Sequence, residues 1–141
     1  MTSAFEKLCG PGKALKAEPA DASEFAGFIR GAMARLHDAR NKSLSLETRF
    51  DIAYNAAHAL CLAALRWHGY RPSNRYIVFQ LLPHTLGVGP EVWRVLAKGH
   101  ELRNLAEYEG DLDVDERFVE DFIAACEVVA GKVRSLALPA A

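Results

Sequence analysis

Apolar residues recur at spacings of three and four along nearly the whole chain, and few segments alternate apolar and polar residues. The first pattern is typical of amphipathic helices, whereas the second would indicate half-buried strands. The sequence therefore predicts an all-α protein. Its 141 residues are enough for one domain with its own hydrophobic core, and we expect a single bundle of four to five helices.

Capping residues, glycines and prolines divide this pattern into five predicted helices. Asp21 or Ser23 precedes the first helix, Ser45 begins the second, and Pro83 is expected to bend the third. The predicted helices cover approximately residues 22–40, 45–68, 74–86, 90–109 and 115–133. These boundaries predict a helical domain over residues 21–135, a mobile N-terminal leader over residues 1–20 and a C-terminal tail over residues 136–141.

The second predicted helix is apolar on all sides, which is typical of the central helix of a bundle. Between Ala53 and Leu65, only Asn55 and His58 interrupt the apolar residues. His58 is open to two interpretations, a metal ligand inside the bundle or a hydrogen-bonded core histidine. Because bundle metal sites need several inward-facing carboxylates and histidines, we favour the core histidine and expect neither a metal site nor another cofactor.

Cysteine content and the longest apolar run restrict the cellular location. The chain has three cysteines, Cys9, Cys61 and Cys126, and no CxxC pair, which disfavours a disulfide framework and a zinc ribbon. The N-terminus has no long apolar segment of the signal-peptide type, and the run over residues 59–65 is too short to span a membrane. We therefore expect a cytoplasmic protein without membrane association.

The net charge of -1 conceals an interval without acidic residues between Asp51 and Glu91. A nearly neutral chain is a poor candidate for non-specific coating of nucleic acid, but local phosphate contacts stay open. Basic groups interleaved with aromatic rings can bind a phosphate and stack a base, or they can simply form a solvated helix end. The interval contains such a cluster: Arg66, Trp67, His68, Tyr70, Arg71, Arg75 and Tyr76.

Polar residues share one face near the end of the fourth predicted helix, in the stretch HELRNLAEYEG. At about 100° per residue, an arc of about 140° holds His100, Arg103, Asn104, Glu107 and Tyr108. Trp93 and Leu96 continue this stripe, and the side of Val92, Val95, Leu102 and Ala106 is predicted to face the core. Because a large aromatic seldom lies along a plain solvent face, we expect the stripe to contact another helix or another subunit. The simpler alternative is an Arg103–Glu107 ion pair with Tyr108 packing by its ring.

The chain contains the helix AYNAAHALCLAALRWHGYRP, the later stretch LRNLAEYEG and a final helix with an acidic start. This joint pattern resembles the HEPN family, which is named for nucleotide binding in higher eukaryotes and prokaryotes. The resemblance covers approximately residues 23–133. It implies a dimerising bundle of four or five helices. Many members carry an arginine, a polar residue, three further residues and a histidine, and two such motifs meet across the dimer in those that cleave RNA.

The resemblance assigns Arg103 to the arginine and Asn104 to the polar residue, and it places Tyr108 where the histidine would stand. RNA cleavage without a metal needs a base for the 2′-hydroxyl, a cation for the phosphate and an acid for the leaving oxygen. Histidine titrates near 6.5 and serves as base and acid, whereas tyrosine titrates near 10 and is a poor base. Arg103, Asn104 and Tyr108 are therefore candidate catalytic residues of a weak or degenerate metal-independent ribonuclease.

Two functions from different classes follow. The first is an RNA- or nucleotide-linked HEPN-like homodimer, a toxin-antitoxin or defence component that the resemblance also pairs with a separate nucleotidyltransferase chain. The alternative is a non-enzymatic helical module that binds such a nucleotidyltransferase or another protein through the face from Trp93 to Tyr108. In either case the expected binding residues are His100, Glu107, Trp93, Arg66, Arg71 and Arg75.

Overall fold

A computed structural model describes residues 4–139 of the chain, most of which are helical. The long helices form a bundle, and the short elements cover one end of it. In chain order the elements are α1 (Ala4–Lys7), β1 (Leu15–Ala17), α2 (Ala22–Ala39), α3 (Leu46–Trp67), β2 (Tyr70–Pro72), α4 (Ile77–Gln80), α5 (Leu82–Thr85), α6 (Pro90–Glu109) and α7 (Glu116–Arg134). None of the helices within this part of the chain is long and apolar enough to cross a membrane.

The starts of the long helices follow from local capping. The Asp21 side chain accepts a hydrogen bond from the backbone N–H of Ser23, and Ser45 accepts one from Thr48. Asp115 caps α7 in the same way through the N–H of Phe118. Each interaction satisfies a donor that the first helical turn leaves unpaired. The predicted starts of these three helices are confirmed to within a residue or two.

Helix α3 is the centre of the bundle, as predicted from its apolar sequence. Its alanines Ala53, Ala56, Ala57, Ala63 and Ala64 are all fully buried. Such small side chains leave room for neighbouring helices, so α2 and α7 pack closely against α3. The mostly helical architecture is therefore confirmed, with one addition: residues 4–139 also contain a two-stranded sheet.

The segment expected to be a mobile leader carries structure in its described part. Phe5 is buried with its ring 4.9 Å from that of His68, and Leu15 is also buried. Strand β1 pairs antiparallel with β2, with Leu15 opposite Pro72. These apolar anchors attach the segment to the end of α3, and the three-residue strand is too short to produce a recognisable alternation in the sequence. Residues 1–3 lie outside the described residues.

Two other boundaries differ from the sequence prediction. The third predicted helix is two short helices, α4 and α5, because Pro83 lacks an N–H and clashes with a continuous helix. The Asn74 side chain accepts a hydrogen bond from the N–H of Ile77, the first residue of α4. In the predicted tail, the carbonyl of Ala137 accepts a hydrogen bond of 2.7 Å from Trp67 Nε1, so this part lies against α3.

Helices α6 and α7 meet at Gly99, and this contact predicts a stability effect. A Cβ at Gly99 would overlap the ring of Phe122 and lie 2.7 Å from its Cδ2. Phe122 is fully buried, with its ring 5.1 Å from that of Phe50, so it has little space to move. We expect Gly99→Ala to lower the free energy of unfolding by about 1–3 kcal/mol, the typical cost of overpacking.

The matched control for that substitution is Gly131→Ala in α7. A Cβ at Gly131 would meet no atom within 4 Å, so only the better helix propensity of alanine remains. We expect this variant to be more stable than the parent by up to about 1 kcal/mol. Urea denaturation measures both values, and a stabilising Gly99→Ala would show that α6 and α7 do not approach each other in this way.

Candidate functional site

A polar cavity of about 500 Å³ lies between α3, α6 and the loop that precedes α4. Tyr54 comes from the middle of α3, and the loop contributes residues 74–76. One face of α6 supplies four further side chains, and Gln80 also lines the cavity. The α6 residues in the cavity are His100, Arg103, Asn104 and Glu107. Four of the residues that the sequence placed on one polar face therefore do line a common cavity.

His100 is the central buried group of this cavity, with only 6% of its surface exposed. Its Nδ1 lies 2.8 Å from the hydroxyl of Tyr54, and the Asn104 amide nitrogen donates a hydrogen bond of 3.1 Å to its Nε2. The ring of Tyr76 stacks on the imidazole with a centroid distance of 4.7 Å and an interplanar angle of 7°. The histidine is thus fixed by a hydrogen bond at each nitrogen and by a ring on one face.

The protonation of this network follows from burial. Burial lowers the pKa of His100, and the positive charge of Arg75 lowers it further, so the imidazole is neutral near pH 7. Because the Asn104 amide donates to Nε2, the single ring proton lies on Nδ1 and is donated to the oxygen of Tyr54. The hydroxyl proton of Tyr54 is then free to be donated to a bound group.

Two arginines lie over the face of Tyr54. The guanidinium carbon of Arg103 is 4.7 Å from the ring centroid, and that of Arg75 is 6.0 Å from it. Burial raises the pKa of Tyr54, while these two charges oppose part of the rise. Tyr54 therefore remains protonated at neutral pH and acts as a hydrogen-bond donor beside two cations.

The two arginines differ in their partners. Arg103 forms an ion pair with Asp51 of α3 and lies 3.8 Å from Glu107, the partner expected at i+4. Arg75 is exposed, and no carboxylate within residues 4–139 lies within 4.0 Å of it. The cavity accordingly contains one neutralised cation and one that is available to an anion.

Tyr108 does not join this arrangement within one chain. Its side chain is 90% exposed, and it is not among the residues that line the cavity. The cavity ends one turn earlier, at Asn104 and Glu107. The structure therefore brings together Arg103 and Asn104 of the predicted catalytic set, with His100 beside them, and leaves Tyr108 on the outer surface of α6.

The orientation of α6 corrects the predicted core side. The buried residues of this helix are Val92, Leu96, Gly99 and His100. Val95, Leu102 and Ala106, expected to face the core, are only partly buried, while Leu96, expected on the stripe, is fully buried. The reason is Gly99, which lets Phe122 approach the helix backbone but contributes nothing to a hydrophobic pattern.

Trp93 is half-buried, with Arg94 over its ring at 5.4 Å, and it lies outside the cavity.

The predicted basic cluster separates into two groups. Arg66 is 2% exposed and forms ion pairs with Glu24 at 2.7 Å and Glu18 at 3.3 Å. Arg71 pairs with the same carboxylates at 2.8 and 2.6 Å. Although burial alone raises the pKa of Glu24, hydrogen bonds from Arg71 and Arg66 lower it overall. Arg66 and Arg71 therefore attach the N-terminal segment to α2 and α3, and of the three arginines only Arg75 lines the polar cavity.

His58 lies half-buried on α3 and contacts an aromatic ring, with its centroid 6.2 Å from that of Phe79. It lines a smaller cavity beside the polar one. Across residues 4–139, no three His, Cys, Asp or Glu side chains are grouped in a way that suits a metal ion. The position of His58 is that of a packed aromatic group at the edge of the core.

The burial of His58 predicts a pH-dependent stability. Burial, and to a smaller extent Arg75 and His100, lower the pKa of His58 to about 4, whereas an unfolded histidine titrates near 6.5. Between these values the unfolded chain binds more protons, so the free energy of unfolding falls as the pH decreases. His58→Gln cannot titrate, and we expect it to lose less stability than the parent between pH 6.5 and pH 4.

Urea denaturation at several pH values within this window measures that difference. His37→Gln, which replaces an exposed histidine of α2, is the control and should lose as much stability as the parent. Equal acid sensitivity of the parent and His58→Gln would refute the prediction.

A larger and more apolar cavity of about 630 Å³ lies beside β1, between residues 9–17 and 71–73. Within residues 4–139, its lining contains Cys9, Lys13 and Lys16 but no histidine or carboxylate. General acid-base chemistry near neutral pH needs groups that titrate there, which this lining supplies poorly. The polar cavity is therefore the better candidate despite its smaller volume.

Sequence reasoning missed Tyr54 and Asp51 as parts of the site, and it named Tyr76 only in the basic cluster that follows α3. Tyr54 meets His100 across 46 positions of the chain, a contact that no local spacing reveals. The available signal was the pair of hydroxyl and imidazole groups, Tyr54 and His58, in the mostly apolar middle of the helix.

No protein-family model, curated protein or solved structure matches this chain.

Proposed function

We propose that this chain is a HEPN-like protein of an RNA- or nucleotide-linked process and that its polar cavity binds a nucleotide phosphate. The observation that carries the proposal is the placement of Arg75 and Arg103 over one ring, that of Tyr54, whose hydroxyl proton is free. Guanidinium groups match phosphate oxygens in geometry and charge, and a phenol donates a further hydrogen bond. Together these three side chains offer several hydrogen-bond donors to one phosphate dianion.

Phosphate binding involves an exchange of partners at Arg103. In the free protein Asp51 neutralises this guanidinium, and both side chains are partly exposed. A pair of this kind contributes little to stability, so a phosphate that is also bound by Arg75 can replace the Asp51 carboxylate. Arg75 gives the first contact because it has no carboxylate partner within the described residues.

The geometry favours binding over rapid catalysis. The Nε2 lone pair of His100 is occupied by the Asn104 amide, and burial keeps Tyr54 protonated, so neither group acts as a base toward a 2′-hydroxyl. Tyr54 can serve as an acid, and the arginines can stabilise charge on the phosphate. These features support weak or degenerate ribonuclease chemistry, as expected for a protein with tyrosine in place of the motif histidine.

The biological role that accompanies this proposal is that of a toxin-antitoxin or defence component that functions as a homodimer. Tyr108 is exposed on α6, where a second copy of the chain would have access to it. A separate nucleotidyltransferase chain is the other partner in this proposal. In a dimer with facing α6 helices, the two cavities would share one cleft.

The second candidate is a non-enzymatic module that binds a partner protein. It is favoured by two large apolar or aromatic side chains on the outer surface of α6, Leu105 at 50% and Tyr108 at 90% exposure. Exposed groups of this size at i and i+3 form one continuous patch on a helix. In this case the polar cavity is only a stabilising network, and nucleotides do not bind to it.

Calorimetric titration with 5′-AMP and with adenosine separates the two candidates. We expect 5′-AMP to bind at least tenfold more tightly than adenosine, because only the former has a phosphate for the arginines. Arg75→Ala should remove this difference, whereas Arg94→Ala, which changes an exposed arginine of α6 outside the cavity, should preserve it. Equal affinity of the parent for both compounds, or no binding of either, would overturn the phosphate-binding proposal and favour the interaction module.

A further inference from the structure

A second cleft adjoins the polar cavity and shares two residues with it. Its volume is about 280 Å³, and it is lined by His58 and Leu62 of α3 and by residues 71–75. Asn74 and Arg75 line both spaces, so the available cation lies between them. A ligand that extends from the polar cavity past Arg75 therefore enters the second cleft.

The walls of the second cleft differ chemically from those of the polar cavity. Leu62 and Pro72 are apolar, and the imidazole of His58 is neutral at pH 7 because its pKa is about 4. Arg71 is neutralised by Glu18 and Glu24. A surface made of a neutral aromatic ring and apolar groups is suited to the face of a base rather than to a second phosphate.

The charge of the second cleft favours an anionic ligand. Every described residue that lines the second cleft belongs to the interval between Asp51 and Glu91, in which the sequence has no Asp or Glu. Among the described residues, the lining therefore contains no carboxylate that would repel a phosphodiester. A short inorganic polyphosphate would satisfy Arg75 but would leave the apolar walls without a partner.

We propose that the second cleft binds the next base of an extended nucleotide ligand, with the Arg75 guanidinium shared between the phosphate in the polar cavity and the phosphate that links the two nucleotides. The inference rests on the proposed function and adds a substrate class to it: the ligand is a single strand of at least two nucleotides. Stacking of one base on such a platform typically contributes about 1–3 kcal/mol, which corresponds to roughly a fivefold to hundredfold gain in affinity.

The test compares three adenine ligands by calorimetry. The first is 5′-AMP, the second is a 5′-phosphorylated adenine dinucleotide whose first sugar lacks the 2′-hydroxyl and is not cleaved, and the third is the same dinucleotide without its second base. We expect the complete dinucleotide to bind about tenfold or more tightly than 5′-AMP. The ligand without the second base should stay within about threefold of 5′-AMP, whereas inorganic triphosphate should show no gain over it.

Three variants assign the gain to the second cleft. Ser73→Trp places a bulky group in the cleft at an exposed position, and its backbone N–H can still donate to the Ala14 carbonyl. His58→Phe retains an aromatic surface, whereas His58→Ala removes it. We expect Ser73→Trp and His58→Ala to bind the dinucleotide no more tightly than 5′-AMP and His58→Phe to retain most of the gain, with parental affinity for 5′-AMP in all three.

The outcomes distinguish this inference from the proposed function. If 5′-AMP binds through Arg75 but the complete dinucleotide gains nothing, the second subsite is wrong and the phosphate site stands. A gain that persists without the second base, or in Ser73→Trp, would place the additional contacts outside this cleft and overturn the inference. If neither 5′-AMP nor the dinucleotide binds, the proposed function fails and this inference fails with it.

Discussion

Replacing Arg66 with alanine is expected to lower the free energy of unfolding by about 3 kcal/mol, the lower end of the typical cost of breaking a buried ion pair. The Arg66 guanidinium is almost fully buried and donates to Glu24 Oε1 at 2.7 Å, the Glu18 carbonyl at 2.8 Å and the Pro19 carbonyl at 2.7 Å. Without it, these acceptors lose their donors at positions that are only partly buried. The lower end applies because the Glu18 and Glu24 side chains are about a third exposed, at 32% and 28%.

The control for Arg66 is an arginine with similar contact distance but different burial. Arg40 pairs with Glu127 at 2.7 Å, yet the two side chains are 47% and 46% exposed. Solvent screens such a pair, so Arg40→Ala should change the free energy of unfolding by less than about 1 kcal/mol. Urea denaturation of both variants at pH 7 makes the comparison. A cost for Arg66→Ala no larger than that for Arg40→Ala would show that the network does not hold the N-terminal segment.

The second large effect is expected on ligand binding, from Arg103→Ala. A hydrogen bond that involves a charged group contributes about 1.5–3 kcal/mol, so the affinity for 5′-AMP should fall roughly tenfold to hundredfold. Stability should change little, because the ion pairs of Arg103 with Asp51 and Glu107 are partly exposed. Any RNA cleavage or growth inhibition by the parent protein should fall together with the affinity.

Two companion variants make the Arg103 prediction specific. Arg103→Lys keeps the charge but loses the guanidinium fork, so its affinity should lie between those of the parent and Arg103→Ala. Asp51→Asn removes the carboxylate that competes for Arg103, and its affinity for 5′-AMP should exceed that of the parent. Unfolding of Arg103→Ala would assign Arg103 a structural role, and parental affinity in this variant would place the phosphate site elsewhere.

The parts of the fold that were predictable from the sequence depend on local chemistry. Asp21 and Ser45 cap α2 and α3 through groups two or three residues away, and the apolar sequence of α3 already indicates a buried helix. The N-terminal segment was not predictable in this way. Its attachment depends on Phe5 and on Glu18, whose partners lie dozens of residues later in the chain.

The candidate site was predictable in part for the same reason. Helical spacing placed His100, Arg103 and Asn104 on one face, and they do share a cavity. Spacing did not show how far the helix is rotated, because that rotation depends on the contact of Gly99 with Phe122. Nor did it distinguish Arg75 from Arg66, since both are basic residues near aromatic rings and differ only in the carboxylates that the fold brings to them.

A crystal structure of the protein with 5′-AMP would show directly where the phosphate binds. We expect the phosphate in the polar cavity, with its oxygens within hydrogen-bond distance of the Arg75 and Arg103 guanidiniums and of the Tyr54 hydroxyl. We also expect that Asp51 no longer contacts Arg103, in agreement with the proposed exchange of partners. A phosphate bound elsewhere on the chain, with the Arg103–Asp51 pair intact and the cavity occupied by solvent alone, would contradict the phosphate-binding proposal.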